Sequence, residues 1–363
     1  MVIADESFHG SDLEIIADRY GIDMNRIVPH ASNVNPLGIS SLAKQALMDN
    51  IDAICSYPDP NYTTLKNAIS NYTGASADHL ILGNGTSELI RLVFKILAPK
   101  KTMIIGPTYS EYGKAAKQTG SDIHTYMLKE SDGFELDPQQ LASALDASFD
   151  LLVICNPNNP TGKAIPKNKL EQIITDCQSK GILVTVDETY VEFVDQIDLI
   201  SAVSLTDTYK NLIVFRGISK FFSSPGLRLG YAITTNPQFL DAASNDKTPW
   251  SINSLVSVAS VMFSDEHFIN LSRTLIQTER NLIYSALSVR KTIKVYKPDA
   301  NFVLIRLLKE GQTASEVFDY CIKRGIMIRD CTDYEGLGEK YIRFCFLKPE
   351  ENDNVVNTIL EIV

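Results

Sequence analysis

The chain has 363 residues, 44% of them hydrophobic, and a formal net charge of −10. That length exceeds one typical core, so two domains are expected, and the acidic balance without a basic run excludes a nucleic-acid surface. No apolar stretch approaches membrane-spanning length, and Met1–Glu6 lacks the basic-then-apolar order of a secretion signal, so a cytoplasmic protein without a membrane partner is expected.

Between roughly residues 45 and 250, strand-like and helix-like runs alternate, the pattern of a mostly parallel sheet covered on both faces. Leu80-Ile81-Leu82 leads into Gly83-Asn84-Gly85-Thr86-Ser87-Glu88 and then an apolar helical run to Leu97. Glycines before a helix start let backbone N–H groups face an anion, and Thr86 and Ser87 add hydroxyls, although such a turn is more often just a cap. After the strand Thr102–Ile105, Tyr109 is equally suited to stacking on an aromatic ligand and to a place in the core.

The buried-strand run Leu151–Cys155 ends in Asn156-Pro157-Asn158-Asn159-Pro160-Thr161-Gly162, and Ile182–Val186 ends in Asp187-Glu188-Thr189-Tyr190. Ligands of open α/β sheets bind beyond the carboxyl ends of strands, so both turns belong to one rim. Helical periods at 167–180 and 138–146 fit the covering layers.

A fourth apolar strand, Leu212–Phe215, opens the segment Arg216-Gly217-Ile218-Ser219-Lys220, with Pro225-Gly226-Leu227-Arg228 downstream. A lysine that leaves a buried strand is partly desolvated, which lowers its pKa and frees the amine for imine formation with an aldehyde. Arg228 offers a planar fork suited to a phosphate ester. An aldehyde and a phosphate on one ligand describe pyridoxal 5′-phosphate, and Asp187 could then pair with its pyridinium nitrogen while Asn159 and Tyr190 hydrogen-bond its ring oxygen. Taken singly, each feature also fits an ordinary surface lysine, an Asn-Pro turn or a helix cap.

Beyond Trp250 the pattern changes to long helices around 255–287, a strand at 301–305, a helix at 314–324 and short strands near Met327 and Ile342, a smaller α+β unit. The expected division is an N-terminal arm (1–40) packing on the small domain, a large cofactor-binding domain (41–252) and a small C-terminal domain (253–363). The six cysteines and five histidines are scattered without ligand spacing, which reads as mostly buried thiols and no metal site.

In order along the chain, Gly85-Thr86-Ser87-Glu88, Tyr109, Asn159-Pro160-Thr161-Gly162, Asp187 with Tyr190, Ser219-Lys220 and Arg228 resemble the class I/II aminotransferase group of fold type I pyridoxal-phosphate enzymes, over nearly the whole chain. The resemblance implies that Lys220 carries the cofactor and shuttles a proton, Asp187 pairs with the ring nitrogen, and Gly85, Thr86, Ser87, Ser219 and Arg228 hold the phosphate. It further implies that Arg343 binds a substrate carboxylate and that the enzyme is a homodimer. Each site then receives the partner subunit's Tyr57, with the partner subunit's Tyr62 a second candidate. One departure stands out: Gly217 occupies a place where the group usually has Ser or Thr, so a phosphate hydroxyl is missing unless Ser219 compensates. Phe8-His9-Gly10-Ser11-Asp12, the segment 31–38, the segment 57–62 and Pro249-Trp250-Ser251-Ile252-Asn253 are similar to threonine-phosphate decarboxylases, and histidinol-phosphate aminotransferases share Asn35-Pro36-Leu37-Gly38, Tyr57-Pro58, Ile328-Arg329-Asp330 and the Arg343 strand. Both act on small amines carrying a phosphate, which makes His9, Asn33, Arg329 and Arg343 candidate substrate-anion ligands. Transamination is the expected reaction and decarboxylation the alternative.

Overall fold

The computed structural model describes residues 12–246 and 248–363. Seven strands form the larger sheet: β1 (Leu80–Gly83), β2 (Lys101–Gly106), β3 (Asp122–Met127), β4 (Leu151–Cys155), β5 (Leu183–Asp187), β6 (Leu212–Gly217) and β7 (Gly230–Ile233). Their spatial order is β1-β7-β6-β5-β4-β2-β3. From β3 to β6 every pair is parallel. All residues of β4 and β6 are buried, as continuous apolar runs covered on both faces must be. Alternation sorts their side chains: Leu151, Val153 and Cys155 pack with Leu89, Val93 and Phe94 of the helix Thr86–Leu97, whereas Leu152 and Ile154 join a core with Leu170 and Ile174 of the helix Lys167–Ser179.

The one reversal is β7, antiparallel to both β6 and β1. Parallel neighbours need a crossover of a dozen or more residues, usually a helix. The segment between β6 and β7 instead turns straight back through the short 3₁₀ turn Pro225–Leu227, so its return strand can only run antiparallel.

A second sheet joins β8 (Ile293–Val295), β9 (Phe302–Leu307), β10 (Arg329–Asp330) and β11 (Tyr341–Cys345) in the antiparallel order β10-β11-β9-β8. The helices Glu266–Ser288, Ala314–Ile322 and Pro349–Ile362 accompany it. The helical stretch expected at 255–287 is interrupted: a 3₁₀ segment, Ser260–Ser264, separates two helices, and Asp265 caps the second by accepting from the Phe268 N–H at 3.1 Å. Residues 28–35 bind the two sheets together. Val28 bridges to Ile326, the Cys345 N–H donates to the His30 carbonyl at 2.7 Å, and the Asn35 N–H donates to the Lys220 carbonyl at 3.0 Å. Among the described residues no helix is long and apolar enough to cross a membrane.

Candidate active site

Strands β2 and β3 lead away to one side of the sheet, and β4 begins on the other side of β2, so the loops after β2 and β4 flank a topological switch point. Tyr109 follows β2, Asn159 follows β4, Asp187 ends β5 and Lys220 follows β6. Four residues spread over more than a hundred positions thus share one rim.

Asp187 pairs in register with Cys155 on β4 and Phe215 on β6, and it is buried. Tyr112 Oη donates to its Oδ2 at 2.8 Å and the Thr189 N–H to its Oδ1 at 3.0 Å. These donors are neutral, and burial pushes the Asp187 carboxyl above the usual carboxylate range. A buried acid supported by neutral donors is an acid poised for a cationic ligand. Lys220 Nζ donates to the Ser32 carbonyl at 2.7 Å. Burial, and then the positive charges of Arg343 and Arg228, bring its ammonium down to about 8.

The anion cradle lies beside it. Gly85 has φ 86°, and a Cβ there would stand 2.5 Å from Arg228 Nη2, so glycine is what lets the guanidinium lie against the turn. Arg228, itself at φ 59°, is aimed by donating from Nη2 to the Asn84 carbonyl at 3.1 Å and from Nη1 to the Pro225 carbonyl at 3.2 Å. The helix that begins at Thr86 has no side-chain cap at its start, so its positive end and the guanidinium face the same place. Gly217 abuts this turn: a Cβ there would meet the Leu229 carbonyl at 3.1 Å and Thr86 Cγ2 at 3.3 Å. The Thr86 methyl group therefore fills the space that a side chain at 217 would claim. Ser219, next to Lys220, is half-buried. Tyr109 meets Tyr112 edge-on at 5.7 Å, hydrogen-bonds Ser87, and is pushed up to about 12 by burial.

On the side of the second sheet, Arg329 and Arg343 stand directly opposite each other in register on β10 and β11. Arg343 is buried and held by uncharged groups: Asn159 Oδ1, Tyr334 Oη at 3.2 Å, the Ala31 carbonyl at 2.9 Å and the Phe302 ring at 5.2 Å. Arg329 donates from Nη2 to both carboxylate oxygens of Asp333, at 2.7 and 2.6 Å. Asn33, at φ 56°, donates from Nδ2 to Tyr190 Oη at 3.3 Å, while its buried Oδ1 has no partner among the described residues.

The structure thus brings together Gly85, Thr86, Ser87, Tyr109, Asn159, Asp187, Tyr190, Ser219, Lys220, Arg228, Asn33, Arg329 and Arg343. His9 lies outside the described residues. Tyr57 stands apart, 80% exposed, with its ring 4.7 Å from that of Trp250. Tyr62 does not share its exposure: it is 1% exposed and accepts from the Ile252 N–H at 3.1 Å, which commits it to its own subunit. Sequence reasoning missed Tyr112, Thr189, Tyr334 and Asp333. Tyr112 could have been sought as the apolar position that opens the helix Glu111–Gln118, but the turn carrying Asp333 and Tyr334 has no periodic signal.

Residues 27–359 match the family described as aminotransferase class I and II. Threonine-phosphate decarboxylase of Salmonella typhimurium is 32% identical over 98% of this chain and 97% of its own length. Histidinol-phosphate aminotransferase of Methanosphaera stadtmanae is also 32% identical, over 98% of this chain and 95% of its own. Among solved structures, histidinol-phosphate aminotransferase from Clostridium acetobutylicum superposes with a TM-score of 0.85 at 32% identity, covering 92% of this chain and 98% of that one.

Proposed function

The chain belongs to the class I and II aminotransferases, a pyridoxal-phosphate-dependent family, and on that premise we propose that it transfers the amino group of a small amine carrying a phosphate, as histidinol-phosphate aminotransferases do. The residues present fit the cofactor. Lys220 would tether it through Nζ and Asp187 would pair with its ring nitrogen. The turn Gly85-Thr86-Ser87 with Ser219 and Arg228 would take its phosphate. Tyr109 would stack on the ring, and Asn159 and Tyr190 would hydrogen-bond its ring oxygen. When bound, the cofactor supplies an electron sink for the bond broken at the substrate carbon.

The protein's own part is binding, orientation and proton transfer. Asp187, buried and held from the side by Tyr112 and Thr189, keeps a proton on its partner nitrogen. Lys220 Nζ, neutral above about 8, takes and returns the substrate proton. Arg329, Arg343 and Asn33 hold the anionic ends of the substrate. The observation that carries the reading is the register pair Arg329 and Arg343, whose second member is close enough to lower the Lys220 pKa. Two like charges directly opposite on adjacent strands are destabilising unless anions answer them; Asp333 answers Arg329 alone, so the pair fits a substrate with a carboxylate and a phosphate, or a single dianion.

A second reading, decarboxylation of an O-phosphorylated amino acid, is supported by the Salmonella relative and uses the same residues. The bond that breaks is the one held perpendicular to the ring, so a rotation of the substrate carboxylate decides between the reactions. Incubating the enzyme with histidinol phosphate and 2-oxoglutarate is expected to yield glutamate. Carbon dioxide from threonine phosphate, with no glutamate formed in the first mixture, would establish the second reading instead.

The assembly proposed is a cytoplasmic homodimer. Met48, Ile51, Ile54, Tyr57 and Trp250 are large apolar residues left exposed in the neighbourhood of the helix Ser41–Asp49, a face suited to a second copy. The partner subunit's Tyr57 would then reach the cofactor phosphate, Pro58 stiffening the segment that carries it. The division proposed is an arm (1–40), a large domain (41–252) and a small domain (253–363), a reading supported by the separation along the chain of the seven-stranded sheet, within residues 80–233, from the four-stranded sheet, within residues 293–345.

A further inference from the structure

Arg329 and Arg343 share a place on the sheet but not a kind of partner. Among the described residues, every group that holds Arg343 is uncharged. Arg329 is held by a carboxylate, and that carboxylate is set in place by a compact turn: the Thr332 N–H donates to Asp330 Oδ1 at 2.9 Å and the Tyr334 N–H to the Cys331 carbonyl at 3.0 Å, which presents Asp333 back to the strand. Tyr334 couples the two arginines. Its ring lies 5.3 Å from the Arg329 guanidinium, and its hydroxyl accepts from Arg343 at 3.2 Å and donates to Asn159 Oδ1 at 3.3 Å. Arg329 is well covered, with 12% of its side chain exposed, whereas Asp333 retains 33%, so the carboxylate is the member of the pair with room to leave.

We propose that Asp333 sets an affinity threshold at this site: it occupies Arg329 as an internal competitor until a phosphate dianion displaces it, so that ligands offering Arg329 only a carboxylate, which hold it more weakly, do not displace Asp333. The proposal rests on the assignment of Arg329 as a substrate-anion ligand. A carboxylate ligand brings the same charge and the same two oxygens as Asp333, but it competes from solution against a group tethered four residues away, whose effective concentration is far higher. A phosphate monoester carries up to two charges and three acceptor oxygens. It can engage Arg329 and still direct an oxygen toward Arg343, which Asp333 does not reach in this structure. The internal carboxylate thus sets a threshold that a dianion clears and a carboxylate does not. It also offsets one of two opposed positive charges while no substrate is present.

Holoenzyme of the parent, Asp333→Asn, Asp333→Ser and Arg329→Ala forms is titrated calorimetrically with inorganic phosphate and, separately, with glutarate. Removing the competitor is expected to tighten phosphate binding about two- to fivefold, the range for loss of a partly exposed ion pair, and to make glutarate binding measurable where it is weak in the parent. Arg329→Ala is expected to weaken phosphate binding. A turn that served the fold alone would make both Asp333 variants bind phosphate more weakly and melt lower. Unchanged or weaker phosphate binding in both Asp333 variants, with Arg329→Ala still impaired, would overturn the proposal and leave the assignment of Arg329 standing. Parent-like phosphate affinity in Arg329→Ala would overturn that assignment and the proposal together.

Discussion

The two halves of the site are built in different ways. On the cofactor side, Asp187 and Lys220 are set at or just past the ends of β5 and β6, strands in the middle of a seven-stranded sheet, so their positions follow from a buried scaffold. On the side proposed for the substrate, Arg329 stands on a two-residue edge strand and is oriented by Asp333 and Tyr334 from the turn that follows. Rigid placement suits a group whose chemistry is the same for every substrate, and an adjustable turn suits the part that tells substrates apart.

The largest expected effect lies at the rigid side. Lys220→Ala would remove the proposed tether and base together, and turnover is expected to fall by about 10⁴-fold or more while the melting temperature stays near that of the parent. A variant with parent-like activity and an unchanged cofactor absorbance band would end the assignment of Lys220. Asp187→Asn keeps the shape but loses the charge that the ring nitrogen requires, and kcat is expected to drop by about 10²- to 10³-fold. Near-normal rates there would reduce Asp187 to a residue that shapes the turn to Thr189.

Smaller effects test the cradle. Gly85→Ala strains a positive φ and drives a Cβ into the position of the Arg228 guanidinium, so cofactor affinity, read by titration of the apoenzyme, is expected to fall about tenfold or more. Gly217→Ser is expected to weaken rather than strengthen it, because Thr86 Cγ2 and the Leu229 carbonyl already crowd that position; pairing it with Thr86→Ser should recover the loss, and tighter binding by Gly217→Ser alone would contradict the geometry.

Acidity gives a further check. The folded Lys220 pKa lies below that of a free lysine, so the neutral amine becomes the main form as pH rises through about 8. The rate of cofactor capture by the apoenzyme, followed by absorbance, is expected to climb about tenfold per pH unit below that value and level off above it; an inflection near the ordinary lysine value would show that Lys220 is solvated. The mildest intervention is Tyr57→Ala, at a residue 80% exposed in one chain. It is expected to leave the fold intact but to lower cofactor affinity, so that at limiting cofactor the variant is largely inactive, and mixing it there with Lys220→Ala chains should restore one competent site per heterodimer. Failure of exchanged chains to regain activity would remove the partner subunit's Tyr57 from the site.

Much of this was legible in the chain itself. The runs 151–155, 182–186 and 212–215 are apolar but for Thr185 because both faces of their strands are covered, and the candidate site residues follow each at its carboxyl end. Gly85 could be read as a close-approach glycine for the same local reason. Departures came where a local pattern has two outcomes. Tyr57 and Tyr62 sit in one Tyr-Pro-Asp-Pro segment, yet one faces solvent and the other is buried against Ile252, a choice made by what packs on each.

What the sequence by itself determined is the mostly parallel sheet and the order of the turns at its strand ends, to which the cofactor motifs are assigned, since these depend on short-range alternation and on local turn residues. Only the tertiary structure decided that Tyr112 supports Asp187 across 75 positions and that Asn159 meets Arg343 across 184. It decided equally that Thr86 fills the gap at Gly217 and that Asp333 is turned back onto Arg329. Such partners are chosen by the way two sheets and an N-terminal segment close over one rim, and no spacing along the chain encodes that closure.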